Sequence, residues 1–158
     1  RRFLDDLKTY WDANRAAHNG VELYVMRNLT RGRGVGFFEA GNFYPDFIVW
    51  LVADKRQEII FVDPKGLVYV PANDPKVQFH QTIKELEARI EQPVGETVGL
   101  HSFILSRTNV STLEKVWGLK RAEIESRNVL FLDDKNYVRK IMANVLSPTV
   151  TKLTDGES

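Results

Sequence analysis

The chain has 158 residues, 43% of them hydrophobic, with 22 lysines and arginines against 21 aspartates and glutamates and no cysteine. This balance is typical of one compact domain, and it excludes a disulfide-stapled scaffold, a thiolate metal site and a cysteine nucleophile. No apolar run reaches the roughly 18 residues of a membrane span, and the missing cysteines favour a reducing cytoplasm. Because neither an initiator methionine nor a signal segment begins the sequence, we expect a domain cut from a longer protein.

The first half of the chain predicts a helix followed by three strands. Apolar residues at helical spacing predict a helix over 3–17, whereas 21–29 alternates loosely enough to be either strand or helix. A tight connection at 54–57 joins the last two strands of a predicted meander. The run 47–52 is apolar on both faces, which indicates a central strand. The three predicted strands are 35–40, 43–53 and 58–62.

The second half of the chain alternates helix and strand. A stripe of apolar side chains predicts an amphipathic helix over 76–92, and Gly118 interrupts a helical stretch over 112–127. The order α, βββ, α, β, α, β, α predicts one α/β domain over 1–148, with a mixed central sheet flanked by helices, and a polar tail at 149–158. A strand, a short buried strand and a last helix complete the series: 98–106, 129–132 and 135–146.

The charges are segregated along the chain. Residues 37–100 carry six basic against ten acidic side chains, whereas 1–36 carries seven against four and 101–152 carries nine against five. Basic flanks around an acidic centre suit a protein that holds a polyanion while placing carboxylates on it. Ordinary uneven scatter of surface charge is an equally open explanation.

Three charged residues lie at the ends of the second and third predicted strands. Asp63 and Lys65 are two positions apart, so both project from the same face of one strand. A hairpin turn centred between Lys55 and Arg56 places Asp46 opposite Lys65 and diagonal to Asp63. A slip of two residues in this register keeps the three side chains on one face.

Two carboxylates and an amine at the end of an apolar sheet are costly unless they bind something. Mg²⁺ prefers hard oxygen ligands, and proteins commonly hold it with one or two carboxylates together with phosphate oxygens of a substrate. The pattern therefore predicts hydrolysis of phosphodiesters with Mg²⁺ or Mn²⁺, in which Lys65 orients the attacking water or stabilises the transition state. The alternative without chemistry is a cross-strand ion pair.

The motif Pro45-Asp46, followed after sixteen residues by Asp63-Pro64-Lys65, resembles the PD-(D/E)xK nuclease signature. The sequence that leads into it is similar to nuclease domains at the C-terminal end of DEAD/DEAH-type helicases related to type III restriction Res subunits. This resemblance implies a restriction-endonuclease-like core (αβββαβ) and a Mg²⁺-dependent deoxyribonuclease acting on DNA. It further implies a helicase or ATPase region N-terminal to this domain in the same polypeptide, and a role in restriction or phage defence.

The resemblance also implies roles for single residues. Lys65 becomes the catalytic lysine, and an additional acid is expected from an earlier element, where Glu39 and Glu22 both stay open. Pro64 removes a ladder N–H from its strand, which fits only a bulge, a strand end or a place where strands splay apart. The implied metal ligands are Asp46, Asp63 and the backbone carbonyl of Pro64.

Four further residues are candidates for contacts with a nucleic-acid backbone. Arg31 and Arg33 lie on a glycine-rich turn, and Gln81 and Lys84 lie on the predicted helix 76–92, away from its apolar stripe. Arginine and lysine bind phosphate without reading sequence, which is the contact expected here. A plain basic turn and a solvated helix face are the alternatives.

Two other functions stay open. A nuclease fold that binds nucleic acid or a protein partner without cutting would use the charged trio for structure alone. Asp133 and Asp134 end a strand as the acidic pair of aspartyl-phosphate phosphatases does, although capping of the last helix also explains them. The three histidines are scattered, with no spacing that makes a zinc site or a Ser/His/Asp relay.

Overall fold

The computed structural model contains two compact units, which differ in size. The smaller unit joins the two ends of the chain, residues 1–19 and 134–158, and the larger unit spans 20–133. The predicted polar tail at 149–158 lies outside the described residues, and the single domain over 1–148 stays a prediction. The structure describes residues 1–29, 34–37 and 40–146.

A five-stranded mixed sheet forms the larger unit, with the strands side by side in chain order. Neighbouring strands are antiparallel from the first to the third and parallel from the third to the fifth. The strands are β1 Glu22–Arg27, β2 Phe47–Ala53, β3 Arg56–Lys65, β4 Thr97–Ser106 and β5 Val129–Phe131. The helices of the described residues are α1 Arg2–Ala13, α2 Pro75–Ala88, α3 Val110–Trp117, α4 Arg121–Ser126 and α5 Tyr137–Leu146.

This element order confirms the predicted α/β class with a mixed sheet and flanking helices. Because α2 follows β3, and α3 and α4 follow β4, each helical connection links two parallel strands, as such strands require. Helix α2 begins at Pro75, one residue before the predicted start, and ends at Ala88, four residues before the predicted end. The side chain of Asp74 caps it by accepting a hydrogen bond from the backbone N–H of Lys76 at 2.9 Å. Gly118 ends α3 with a φ of 65°, which confirms the predicted interruption.

Helices α2, α3 and α4 cover one face of the sheet with apolar side chains. Phe61 of β3 and Leu100 of β4 pack in a cluster with Phe79 and Ile83 of α2. A second cluster near β5 joins residues from the strands and all three helices: Val77, Ile104, Leu113, Ile124, Val129 and Phe131. Burial of each large apolar side chain contributes about 1.5–3 kcal/mol to stability. The packing on this face therefore holds in place the strands that carry the charged groups at their ends.

The predicted first strand of the meander is wrong. Within 35–40, the described residues form no strand, and Phe37 makes only an isolated bridge to Phe43. The first strand is instead β1, in the stretch that the sequence left open between strand and helix. Because β1 is exposed on both faces for most of its length, it lacks the clear alternation that marks a half-buried strand.

The predicted register of the β2–β3 hairpin is also wrong, by two residues. The paired residues run from Ala53 with Arg56 to Phe47 with Val62, so the turn consists of Asp54 and Lys55. Lys55 has a φ of 59°, the left-handed conformation that this tight turn needs. Continuing the ladder by one step brings Asp46 level with Asp63 instead of Lys65.

The smaller unit pairs α1 with α5. The Tyr137 hydroxyl donates a hydrogen bond to Asp6, and the guanidinium of Arg139 lies 5.3 Å from the centre of the Tyr10 ring. After α1, a single turn of 3₁₀-helix over Arg15–His18 stacks His18 on Trp11 with ring centres 5.1 Å apart. The predicted helix over 3–17 is therefore an α-helix that tightens into a 3₁₀ turn.

No helix among residues 1–29, 34–37 and 40–146 has the length and apolar character that crossing a membrane requires.

Candidate functional site

The structure brings two of the predicted carboxylates together. Asp46 directly precedes β2 and Asp63 lies near the end of β3, and the backbone N–H of Asp46 donates to Oδ1 of Asp63 at 3.2 Å. Asp63 is 8% exposed, and Asp46 is half-buried. The two acids are thus neighbours on adjacent chain segments, although the register that brings them together differs from the predicted one.

Asp63 sits in surroundings that disfavour its charge. Burial, and then the negative charge of Asp46, raise the pKa of Asp63 to about 6, against an ordinary value of 3.8. The N–H of Asp46 and the charges of Lys65 and Lys76 act in the opposite direction without outweighing these two causes. Among the described residues, no cation lies within ion-pair distance, 4.0 Å, of either carboxylate.

Two lysines lie beside the acid pair. Lys65 is two residues after Asp63 on the same face of β3, as predicted, and Lys76 comes from the first turn of α2. Burial and the nearby ammonium group of Lys76 lower the pKa of Lys65, while Asp63 and Asp74 partly compensate. Two amines next to each other favour a bound anion, because an anion relieves their mutual repulsion.

Pro64 lies where β2 and β3 part, as its missing N–H requires. The β2–β3 ladder ends at Phe47 and Val62, and β3 continues beside β4 alone through Lys65. The carbonyl of Lys65 accepts a hydrogen bond from the N–H of Arg107 at 2.9 Å, so the N–H and C=O groups of Lys65 point towards β4. Since successive residues of a strand alternate, the nitrogen and carbonyl of Pro64 point to the side of β2, beyond the ladder.

A second buried acid on β3 shows the contrasting arrangement. Glu58 is 7% exposed, and its carboxylate lies 2.7 Å from Nε2 of His101 and 2.9 Å from Nε of Arg56. Burial opposes the ionisation of Glu58, but hydrogen bonds and charge from His101, and then from Arg56, lower its pKa. The partners of Glu58 therefore favour its charged form, whereas burial and the charge of Asp46 disfavour the charged form of Asp63.

Several other predicted residues are not part of this cluster. Glu22 pairs with Val52 at the far end of β1, roughly 16 Å along the strand from Arg27, which faces the start of β2, so Glu22 does not supply a third acid. Lys84 binds Glu87 at 3.0 Å and the Nδ1 atom of His101 at 3.3 Å. His101 lies three residues before Ile104, the partner of Asp63, which is roughly 10 Å along β4. Gln81 is exposed on α2. Three predicted residues lie outside the described ones: Glu39, Arg31 and Arg33.

Of the two acids that follow β5, Asp134 has a structural role. Oδ1 of Asp134 accepts a hydrogen bond from the N–H of Asn136 at 2.9 Å, and Oδ2 lies 2.7 Å from Nζ of Lys140. Asp133 is exposed to solvent. The contacts of Asp134 agree with the proposed capping near the start of α5, which favours this interpretation over phosphatase chemistry.

The donor set at the acid pair fits a small divalent cation. It offers the carboxylates of Asp46 and Asp63 and the carbonyl of Pro64, which points from β3 to the side of β2, beyond the end of the ladder. All three groups are hard oxygen donors. Within residues 1–29, 34–37 and 40–146, no group of three or more His, Cys, Asp or Glu side chains is placed to hold a metal ion. Mg²⁺ commonly uses only one or two carboxylates and completes its octahedron with water and substrate phosphate, so two acids suffice for this ion.

Sequence reasoning missed two residues near the pair. Lys76 is the second residue of α2, a position that the sequence pattern marked only as the start of a helix. Asn28 follows β1 and donates its N–H to the carbonyl of Asp46 at 2.7 Å. The position of Lys76 could have been predicted, because α2 is the next element after β3 and begins near the end of β3 that carries Asp63 and Lys65. Nothing in the local sequence marked Asn28.

Comparison of the chain with protein-family models, with curated proteins and with solved structures gave no match. The interpretation of the site therefore depends on its geometry and on the motif itself.

Proposed function

We propose that this chain is a metal-dependent nuclease domain that hydrolyses phosphodiester bonds of DNA. The observation that carries the proposal is the close pair of Asp46 and Asp63, in which the backbone N–H of Asp46 donates to Oδ1 of Asp63 at 3.2 Å and no cation of the described residues lies within 4.0 Å of either carboxylate. Folding keeps this pair although it raises the pKa of Asp63 to about 6. Strongly perturbed groups of this kind cluster at functional sites.

The residues of the site have separable roles in this proposal. Asp46 and Asp63, with the carbonyl of Pro64, would hold Mg²⁺ or Mn²⁺ on oxygen ligands. When bound, the cation supplies charge neutralisation at the phosphate and acidifies a water molecule. Lys65 donates to the attacking water or to the phosphate oxygens, which carry more negative charge in the transition state. Lys76, beside Lys65, binds a neighbouring phosphate of the DNA strand that is cut.

The sheet supports this assignment by its topology. The order of the elements, α then three antiparallel strands, a helix and a parallel strand, agrees with the restriction-endonuclease-like core that the motif implies. The acid pair lies at the end of the sheet where β2 and β3 part and where α2 begins. Association with a helicase or ATPase region and a role in restriction or phage defence belong to the same proposal.

A cleavage assay tests the proposal directly. Supercoiled plasmid is incubated with the chain and Mg²⁺ or Mn²⁺, and nicking by wild type, Asp63→Asn and Asp133→Asn is compared. Asp63→Asn should lose activity by about a hundredfold or more, the scale seen when a transition-state contact is removed. Asp133→Asn is the matched control, because it also replaces an acid by its amide, at an exposed site. Equal nicking by wild type and Asp63→Asn would sink the proposal.

A binding module without catalysis is the second candidate, and the small number of acids favours it. The described residues supply two carboxylates at this site and no third acid. A module of this kind would bind DNA or a protein partner through Lys65 and Lys76 and would take up no metal. Calorimetric titration with Mn²⁺ separates the two candidates: uptake that disappears in Asp63→Asn supports the nuclease, and no uptake by wild type supports the binding module.

A further inference from the structure

Asn28 is a buried polar residue next to the acid pair. It follows the end of β1, and only 7% of its surface is exposed. Its backbone N–H donates to the carbonyl of Asp46 at 2.7 Å. A buried amide side chain needs partners for its two N–H donors and for its oxygen. In Asn28 these partners are backbone groups of Val35 and of Pro45, the residue before Asp46.

The side chain of Asn28 joins two separate stretches of backbone. Its Nδ2 group donates to the carbonyl of Pro45 at 2.9 Å and to the carbonyl of Val35 at 2.7 Å. Its Oδ1 atom accepts from the N–H of Val35 at 3.0 Å. Both N–H groups and the oxygen of the amide are therefore used. Asn28 thus ties residue 35 to the residue that immediately precedes Asp46.

The strand ladders end beside Asp46. The β1–β2 ladder ends with Arg27 and Phe47, and the β2–β3 ladder ends with Phe47 and Val62. Asn28 and Asp46 continue the β1–β2 register by one step, through the backbone bond from the N–H of Asn28 to the carbonyl of Asp46, and Pro45 lies beyond that bond. The side chain of Asn28 donates to the carbonyl of Pro45, a contact that the ladder does not supply, and so restrains the backbone immediately before Asp46.

The neighbouring backbone is packed closely against Asn28. A Cβ atom at Gly34 would lie 1.9 Å from the carbonyl oxygen of Leu29 and 2.5 Å from Oδ1 of Asn28, so only glycine fits. A Cβ atom at Gly36 would lie 2.4 Å from the ring of Tyr44. The segment around Val35 is therefore closely packed. Because the side chain of Asn28 bonds both to Val35 and to Pro45, it restrains the position of Pro45 relative to this segment.

We propose that Asn28 is a positioning residue, which holds Asp46 within reach of Asp63 and thereby sets the affinity of the acid pair for a divalent cation. This inference rests on the proposed function, because it takes the pair to be a cation site. Residues that orient metal ligands in this way typically change metal affinity by 10–100-fold when they are replaced.

The substitution Asn28→Asp separates positioning from charge. The new side chain has the same shape and keeps the oxygen that accepts from Val35, but it loses both donors to the carbonyls of Val35 and Pro45. It also adds a negative charge near Asp46. If charge alone governed the site, cation affinity would increase; if Asn28 positions Asp46, affinity falls. The two explanations therefore predict opposite signs.

The experiment is calorimetric titration of the full chain with Mn²⁺. Asn28→Asp should weaken Mn²⁺ binding by about tenfold or more, and the milder Asn28→Ser, which keeps a hydroxyl, should weaken it less. The control is Asn109→Ala, because Asn109 caps α3 by accepting from Thr112 at 2.9 Å and its removal lowers stability without touching Asp46. Unchanged or tighter binding in both Asn28 variants overturns the inference.

A second measurement distinguishes failure of the inference from failure of the proposed function. If Asp63→Asn abolishes Mn²⁺ uptake while the Asn28 variants bind as wild type does, the function stands and the inference fails. If wild type takes up no Mn²⁺, the function fails, and hydrogen exchange of the Asp46 amide then decides the positioning role. That amide should exchange faster in both Asn28 variants than in Asn109→Ala; equal exchange overturns the inference.

Discussion

Asp63 and Glu58 are buried carboxyls on opposite faces of β3, and of these two only Glu58 has basic side chains, Arg56 and His101, within ion-pair distance among the described residues. Five positions separate them, an odd number, which puts them on different faces of the strand. Burial raises the pKa of Asp63, helped by Asp46, whereas His101 and Arg56 overcome the effect of burial on Glu58 and lower its pKa. One strand thus carries a structural acid and an acid whose charge destabilises the fold.

Replacing Asp63 by asparagine should stabilise the metal-free protein. The pKa of Asp63 is about 6 in the folded state against 3.8 ordinarily, so the folded state binds the proton more tightly than the unfolded state. Stability is therefore lost as the pH rises from about 4 to about 6, by about 3 kcal/mol for this group. Asp63→Asn removes that loss while keeping an oxygen that accepts from the N–H of Asp46.

Urea unfolding at pH 4 and pH 8 checks this expectation. The advantage of Asp63→Asn over wild type should grow by about 2 kcal/mol from the lower to the higher pH, without added metal. Asp133→Asn is the control, because its exposed side chain should show no such trend. A constant difference between Asp63→Asn and wild type at the two pH values would contradict the unfavourable charge assigned to Asp63.

Glu58→Gln should have the opposite effect. The lowered pKa of Glu58 means that its contribution to stability is present above its ordinary value of 4.5 and is lost as the pH falls through the folded-state value. The amide carries no negative charge, so the substitution weakens the contacts of residue 58 with the guanidinium of Arg56 and with Nε2 of His101. We expect a loss of about 2–4 kcal/mol at pH 7 by urea unfolding. Mn²⁺ uptake by the folded variant should stay at the wild-type level; loss of uptake would show that Glu58 belongs to the site.

The sequence predicted the end of the sheet at which the charged groups meet but not their pairing. All four residues over 54–57 are polar, so the pattern could not show whether the turn is centred after residue 54 or after residue 55. The two choices move Asp46 from Lys65 to Asp63 but keep the same face, because the shift is two residues. The face, and with it the clustering, could therefore be predicted, whereas the identity of the neighbours could not.

The first strand shows a different limit of prediction. Residues around Phe37 and Phe43 are aromatic and suggest a strand, yet Gly34 and Gly36 let this segment pack against Leu29 and Tyr44 in an irregular conformation. The edge strand β1 is exposed on both faces, so its residues carry no period of two. Hydrophobic patterns report burial, and an edge strand with little burial gives a weak signal. The role of Asn28 depends on this irregular segment and was invisible for the same reason.

Lys76 and Lys84 provide a matched pair for DNA binding. Both lie on α2, but Lys76 is beside Lys65, whereas Lys84 contacts Glu87 and His101 about 10 Å further along β4. Lys76→Met should weaken DNA binding and reduce the slope of log affinity against log salt by about one, the value for one lost phosphate contact. Lys84→Met should leave that slope unchanged. Fluorescence anisotropy with a labelled duplex at several salt concentrations, with Ca²⁺ replacing Mg²⁺ to suppress cleavage, measures both. An equal fall of the slope in both variants would contradict the placement of phosphate at Lys76.

Gly99 offers a test of how closely the Glu58 carboxylate is packed. A Cβ atom at position 99 would lie 1.8 Å from Oε2 of Glu58, so Gly99→Ala must displace the carboxylate from His101 and Arg56. We expect Gly99→Ala to cost about 2–4 kcal/mol in the wild-type background, since it breaks a buried charge network.

The cost of Gly99→Ala should nearly vanish when Glu58 is already absent. In the Glu58→Ala background the space next to Gly99 is free, and the added methyl group displaces nothing. Urea unfolding of wild type, both single variants and the double variant gives the coupling energy, which should be about as large as the cost of Gly99→Ala itself. Additive costs would show that the methyl group clashes with something other than Glu58. In that case Gly99 is required by the backbone of β4 and not by the carboxylate that covers it.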